Sequence, residues 1–314
     1  MSHHQACFEL LPNEILIELF QYFDAQKLFH AFYKLNIRLN TLIQSFHHLK
    51  LVFYLNKMNN NNIINNNDIF RSFIYTLRVD SGINVNLTQF SNIRHLKLEW
   101  PSNQELQQLC SNVLPYLEKL NLVYIGNVLT NTFLSSKFSY LDIFPANNGL
   151  MCLPSLRILK IRFINLSIYQ TILSLCPNLY YFQLSIFTSE EFLSNIPIHD
   201  NLKRLVIHVG DVIWPWNDNL FNKYLSCVPN LEQLNIHRLF YISRITESFF
   251  NYDWFASIIS AHLPTLHRFY FYLHCFPPKN LTEYDTEKIL NQIKNNFIES
   301  HHDQYQSRLI IQHS

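Results

Sequence analysis

The sequence predicts an α/β chain: a short three-helix module, then a horseshoe of stacked units with parallel strands inside and helices outside. Three observations predict it. The pattern apolar-x-x-apolar-x-apolar recurs from Ile74, Ile93, Leu117, Phe138, Leu156, Leu179, Leu202, Leu231 and Leu266. In five copies a proline stands two residues before the first apolar position, at Pro115, Pro154, Pro177, Pro229 and Pro264. The spacings are 19, 24, 21, 18, 23, 23, 29 and 35, with a mean of 24. The apolar pattern alone is weak, because about fifteen matches arise by chance in a chain this rich in Leu, Ile, Val and Phe; adding the proline leaves roughly one. A period of roughly 20–29 residues is that of a short-repeat solenoid, in which no unit buries its apolar side alone and stacking makes the core continuous.

After an N-terminal tail (1–7), residues 8–50 read as the helical module. Pro12 suits a first helical turn, where a missing N–H costs nothing. Ile15, Leu16, Leu19, Phe20 and Phe23 then form one apolar face. Asp24 is placed to cap a second helix carrying Leu28, Phe29, Phe32 and Tyr33, and Asn36 a third carrying Leu39, Leu42, Ile43 and Phe46. About 40 residues is marginal for independent folding, and this module has more large apolar side chains than three short helices bury among themselves. A partner surface is expected. Residues 51–70 are read as a linker, on the Asn-rich run NKMNNNNIINNND at 56–68.

The array is placed at 71–275, about nine units. Between its strands run helical stripes: Ile168, Ile172, Leu173 and Leu175; Phe221, Tyr224 and Leu225; Phe255, Ile258, Ile259 and Leu263. Each ends near a proline, which is read as the helix stop. Residues 276–314 are read as a closing helix, started by Thr282 and Asp285 and striped by Ile289, Ile293 and Phe297, and a strand at Leu309, Ile310 and Ile311. If the repeating apolars point inward, the residues between them face the concave side. On that lane Lys97, Lys160, Arg162, Tyr181, Arg204, His208, His237, Arg268, Tyr270 and Tyr272 are candidate substrate-binding residues, because Arg and Tyr give contact area and hydrogen bonds together. Trp214-Pro215-Trp216 is a further candidate contact.

Composition disfavours other chemistries. Lys+Arg 24 against Asp+Glu 23 gives a net charge of +1, whereas phosphate readers carry a basic excess. The 4 glycines are scattered, so neither the dinucleotide fingerprint nor the P-loop is present. The six cysteines show no CxxC pair, which points to a reducing compartment, cytoplasmic or nuclear, with no redox dithiol or zinc ribbon. No window reaches the roughly eighteen apolar residues of a membrane span. No GxSxG or HExxH occurs, and the spacing of His262, His267, His274 and Cys275 fits no metal template. The expectation is a non-catalytic chain without cofactor, metal, nucleic acid or membrane.

Leu11-Pro12-x-Glu14-Ile15-Leu16-x-x-Leu19-Phe20-x-Tyr22-Phe23, with Leu28 five residues on, resembles an F-box. That is the module which binds the adaptor of SCF-type cullin–RING ubiquitin ligases. Leu35-Asn36-Ile37-Arg38-Leu39 replaces the tryptophan-bearing segment of its third helix. The later region resembles leucine-rich repeats, with Ile125, Ile164, Phe187 and Leu239 where a turn Asn or Cys usually stands, so a degenerate turn ladder is expected. The resemblance implies a substrate receptor that does no covalent chemistry. In it Leu11, Pro12, Ile15, Leu16, Leu19, Phe20, Phe23 and Leu28 form the adaptor-binding or packing set, and the repeats hold an unknown target protein. The rival is a repeat scaffold outside ubiquitination, whose diverged F-box binds another helical partner.

Overall fold

The computed structural model describes residues 8–23, 25–32, 35–45, 51–56, 71, 74–123, 152–164, 166–186, 198–209, 218–241, 253–276, 283–301 and 305–313. Contacts divide the chain into two units, residues 1–125 and 126–314.

In the first unit, α1 (Asn13–Phe20), α2 (Ala25–Phe32) and α3 (Ile37–Ser45) precede a parallel sheet of β1 (Leu51–Leu55), β2 (Ile74–Val79), β3 (His95–Glu99) and β4 (Lys119–Val123), paired in chain order. Pro12 sits at the N-cap of α1, one residue earlier than expected, and Asn36 caps α3 through its side chain to the Leu39 amide at 2.8 Å. Asp24 lies outside the described residues. β1 is a correction: the sequence assigns Leu51–Leu55 to a linker, yet it pairs with β2. LVFYL is a strongly β-prone run masked by the Asn tract beside it. The helices therefore lead directly into the sheet, with α2 packed against β1, and the rest of the Asn tract lies outside the described residues.

In the second unit, β5 (Ile158–Ile164), β6 (Tyr181–Ile186), β7 (Arg204–Val209), β8 (Gln233–Tyr241), β9 (Arg268–Phe276) and β10 (Gln306–His313) again pair in parallel and in chain order. The helices α5 (Leu166–Leu175), α6 (Asp218–Ser226), α7 (Asp253–His262) and α8 (Glu283–Ser300) intervene, as the stripes predict. Thr282, Trp214, Pro215 and Trp216 lie outside the described residues, as does the repeat copy at Phe138. The other eight copies all hold their apolar side chains in the core: Leu159, Phe182, Leu184, Leu205, Ile207, Leu234, Ile236 and Phe269 are each at most 1% exposed. Tyr169 on α5 stacks on Phe182 with ring centroids 5.6 Å apart and donates its hydroxyl to Tyr224 O of α6 at 3.0 Å, joining two helices and a strand.

The proline follows the helix ends as expected, two or three residues after Leu175, Ser226 and His262, and it has a second role. Leu117, Leu156, Leu179, Leu231 and Leu266 each donate their N–H to the carbonyl three residues back. Each proline is thus the second residue of a four-residue β-turn, where a fixed φ near −65° is already correct. The residue one before the first apolar position, which in the proline-bearing copies follows the proline, forms a ladder. Asn178, Asn201 and Asn230 donate Nδ2–H to Pro154 O, Pro177 O and Asp200 O at 2.9, 2.9 and 3.2 Å, and Thr265 Oγ1 lies 3.2 Å from Pro229 O. A side-chain ladder therefore exists, at the strand's entrance instead of beyond its end. Where the proline is missing, His199 takes over. Its Nδ1 accepts from the Leu202 N–H at 3.1 Å and its Nε2–H donates to Cys176 O at 3.0 Å, a pairing that requires the neutral Nε2–H tautomer.

Candidate functional site

The helical module of the first unit separates the adaptor-set residues into two groups. Leu16, Phe20 and Leu28 are 0% exposed and make up the packing part of that set: they are the seam that three amphipathic helices need simply to hold together. Phe23 belongs with them, since Phe8, Phe20 and Phe23 surround the Phe32 ring at centroid distances of 5.1, 5.2 and 5.5 Å. Leu11 and Leu19 are half-buried, and Pro12 and Ile15 are exposed. The structure also exposes apolar residues outside that set: Leu10 is 79% exposed, Tyr22 83%, Leu35 60% and Ile37 85%. Arg38 donates from Nη2 to Leu11 O at 2.6 Å and from Nε to Asn13 Oδ1 at 3.0 Å. It ties the start of α3 to the start of α1. The residue pattern flags Leu35 and Ile37 only indirectly, as apolars off the buried face of α3.

On the strands, the residues between the buried apolars share one face, as the period of two requires. In the first unit that face carries His95, Lys97, Glu99, Lys119 and Asn121, and Lys97 is ion-paired to Glu99 on the same strand. In the second unit the register sets three rows across the strands. Tyr181, Arg204, Gln233, Arg268 and Gln306 make one; Lys160, Gln183, Val206, Asn235, Tyr270 and Arg308 the next; Ser185, His208, His237, Tyr272 and Ile310 the third. Arg162, exposed at the register shift of β5, lies at the open end of the third row. All ten candidate residues are described and half-buried or exposed. Lys97 belongs to the first unit, and the other nine belong to one sheet in the second.

The third row is an aromatic column. His208 stacks on His237 with centroids 4.4 Å apart and an interplanar angle of 20°, and His237 on Tyr272 at 4.1 Å and 1°. A relay fixes its near end: Tyr181 donates its hydroxyl to Gln183 Oε1 at 3.1 Å, and Gln183 Nε2 lies 2.9 Å from His208 Nε2. Because the amide nitrogen is a donor, His208 Nε2 accepts and the ring proton sits on Nδ1. Burial is the main cause that lowers both imidazoles to about 4, with Arg162, His274 and Lys160 adding repulsion at His208, and His208 and His274 at His237. Both rings are neutral at pH 7. The opposing influences at Tyr181 are burial, which raises its hydroxyl, and Arg204, which lowers it; burial wins. Lys160 Nζ lies over the Tyr181 ring at 5.5 Å and the Arg204 guanidinium over Tyr180 at 5.7 Å.

His262 faces Asn222, His267 is exposed between the proline turn and β9, and His274 stands on the strand face. Among the described residues no group of three or more His, Cys, Asp or Glu is placed to hold a metal ion, and no helix is long and apolar enough to cross a membrane. No family model matches the chain, and no curated protein matches it significantly.

Proposed function

We propose that the chain is the substrate-recognition subunit of an SCF-type ubiquitin ligase, an F-box joined to leucine-rich repeats. The observation that carries this reading is the set of exposed apolar residues in the helical module, Leu10, Pro12, Ile15, Leu35 and Ile37, around the start of α1 and of α3 that the Arg38 bridge ties together. Large apolar side chains left exposed on a small helical unit mark a docking surface, and the module's sequence resembles one that docks to a ligase adaptor. The parallel strands in chain order and the proline-turn ladder support the repeat half, whose polar strand face would hold the target. The receptor contributes position only: it raises the local concentration of a target beside the ligase core.

Co-purification of the full chain with the ligase adaptor tests this. The parent binds, and Leu11→Ala/Pro12→Ala abolishes binding; Ile15→Ala/Ile37→Ala weakens it at least about tenfold, roughly 1.4 kcal/mol. A folded parent chain that fails to retain the adaptor overturns the reading and leaves a repeat scaffold with another helical partner.

A further inference from the structure

Not one residue of β5 to β10 is Asp or Glu. The outward rows of those strands carry Lys160, Arg162, Arg204, Arg268 and Arg308. The described acids of this unit stand on its turns and helices: Asp200, Asp218, Glu232, Asp253, Glu287 and Glu299 among them. A balanced chain has thus sorted its charges, placing only donors of positive charge on one sheet face. Lys and Arg offer N–H donors and no acceptor, so the complementary ligand is rich in acceptors and negative charge.

We infer that this face of the second unit docks an acidic, Asp/Glu-bearing segment of a partner protein, laid across the strands over the Arg204–Gln233–Arg268 row and the His208–His237–Tyr272 column. This inference rests on the receptor reading for its biological setting and names the chemistry of the target. Geometry favours a polypeptide. Neighbouring strands lie about 4.8 Å apart, so the backbones at Arg204 and Arg268 are about 10 Å apart, close to the roughly 9 Å advance per turn of a polyproline-II segment, whose threefold repeat returns every third side chain to one face. A carboxylate at every third position meets successive arginines, each able to grip it bidentately. Single-stranded nucleic acid, the other acidic polymer, uses open ring faces as stacking platforms. Here His237 is sandwiched between His208 and Tyr272, and one face of the Tyr181 ring is covered by Lys160. The column offers edges to a ligand where a base needs faces. It also holds the surface rigid, which lowers the ordering cost of binding.

The test is fluorescence anisotropy on the full chain with a labelled peptide of about fifteen residues carrying Glu at every third position. Comparators are the same peptide with Gln for Glu and an oligouridylate of equal charge. The Glu peptide binds, its affinity falls as salt rises, and the Gln peptide binds at least about tenfold more weakly. Arg204→Gln/Arg268→Gln removes most of the binding, while Lys294→Gln on α8, outside the face, leaves it unchanged; a thermal melt of each variant confirms folding. Three results overturn the inference: no binding of the Glu peptide, equal binding of the Gln peptide, or tighter binding of oligouridylate. Adaptor co-purification on the same preparations separates the two readings. A chain that retains the adaptor but not the peptide sinks this inference alone, and the converse sinks the ligase reading alone.

Discussion

Between β2 and β3 the first unit has space for only one 3-10 turn, Leu87–Gln89, and between β3 and β4 for the five residues of α4 (Asn103–Gln107). The second unit fills the equivalent places with α5, α6 and α7, of 10, 9 and 10 residues. The strands do not register the difference: the turn and the ladder of parallel pairs are alike in both. The cover over the core is therefore exchangeable, provided its backbone polar groups find partners. A helix satisfies its own. The helix-poor stretch of the first unit borrows side chains instead. Glu105, 3% exposed, accepts from the Val85 N–H at 3.1 Å through Oε1, and through Oε2 from the Ser102 N–H at 2.7 Å as the return half of a capping box. Gln108 Oε1 accepts from the Leu87 N–H at 2.6 Å.

That contrast can be broken from either side. The largest effect is expected from Phe182→Ala, which opens a cavity under α5 and should cost the second unit about 3–5 kcal/mol; chemical denaturation monitored separately for each unit would show one transition shifted. Two transitions moving together would mean the units fold as one. Glu105→Ala strands the Val85 and Ser102 donors in the first unit, with an expected loss of about 1–3 kcal/mol. His199→Ala does the same to the Leu202 amide and Cys176 carbonyl of the second, and should match it in size. If Glu105→Ala is harmless, the borrowed-side-chain account of the first unit is wrong.

A pH effect follows in the second unit, smaller per group because both rings are part-exposed and water screens them. His208 and His237 are lowered from 6.5 to about 4 when folded. The unfolded chain then binds more protons than the folded one between those values. Their contribution is complete above 6.5, falls as pH drops toward 4, and is flat below. The melting temperature of the parent should fall more steeply across this window than that of His208→Gln/His237→Gln; parallel curves would rule it out. The smallest change is Arg94→Ala, which breaks a part-exposed pair with Glu118 in the first unit and should cost under about 1 kcal/mol.

How much of this could be read in advance differs by element. The inward lane was legible because a period of two with large apolars has one burial solution, and the helical stripes α5 to α8 likewise. β1 was hidden by composition, since a five-residue β run next to an Asn tract reads as part of the tract. The ladder was sought beyond the strand, although the residues that form it were in view in CPNL and VPNL, each one position after the proline. What could not be read was partition within the helical module. Leu16 and Ile15 are neighbours with the same hydropathy, and only the packed arrangement makes one a core residue and the other a surface one. The charge sorting of β5 to β10 needed the register as well, because it is a property of rows that run across the chain.

The proline turn has a consequence for how such a chain can grow. It fixes the distance from the turn to the start of the strand, so length can change only between that start and the next turn. The longest units, 29 residues from Leu202 and 35 from Leu231, take up their extra residues there. Insertions and fused peptides placed after Val209 or Tyr241 should leave the strand pairing undisturbed, while one residue added between Pro229 and Leu231 should disrupt it. The molecule reads as a ruler with fixed marks and elastic gaps, and the gaps are where new specificity can be written without refolding the rest.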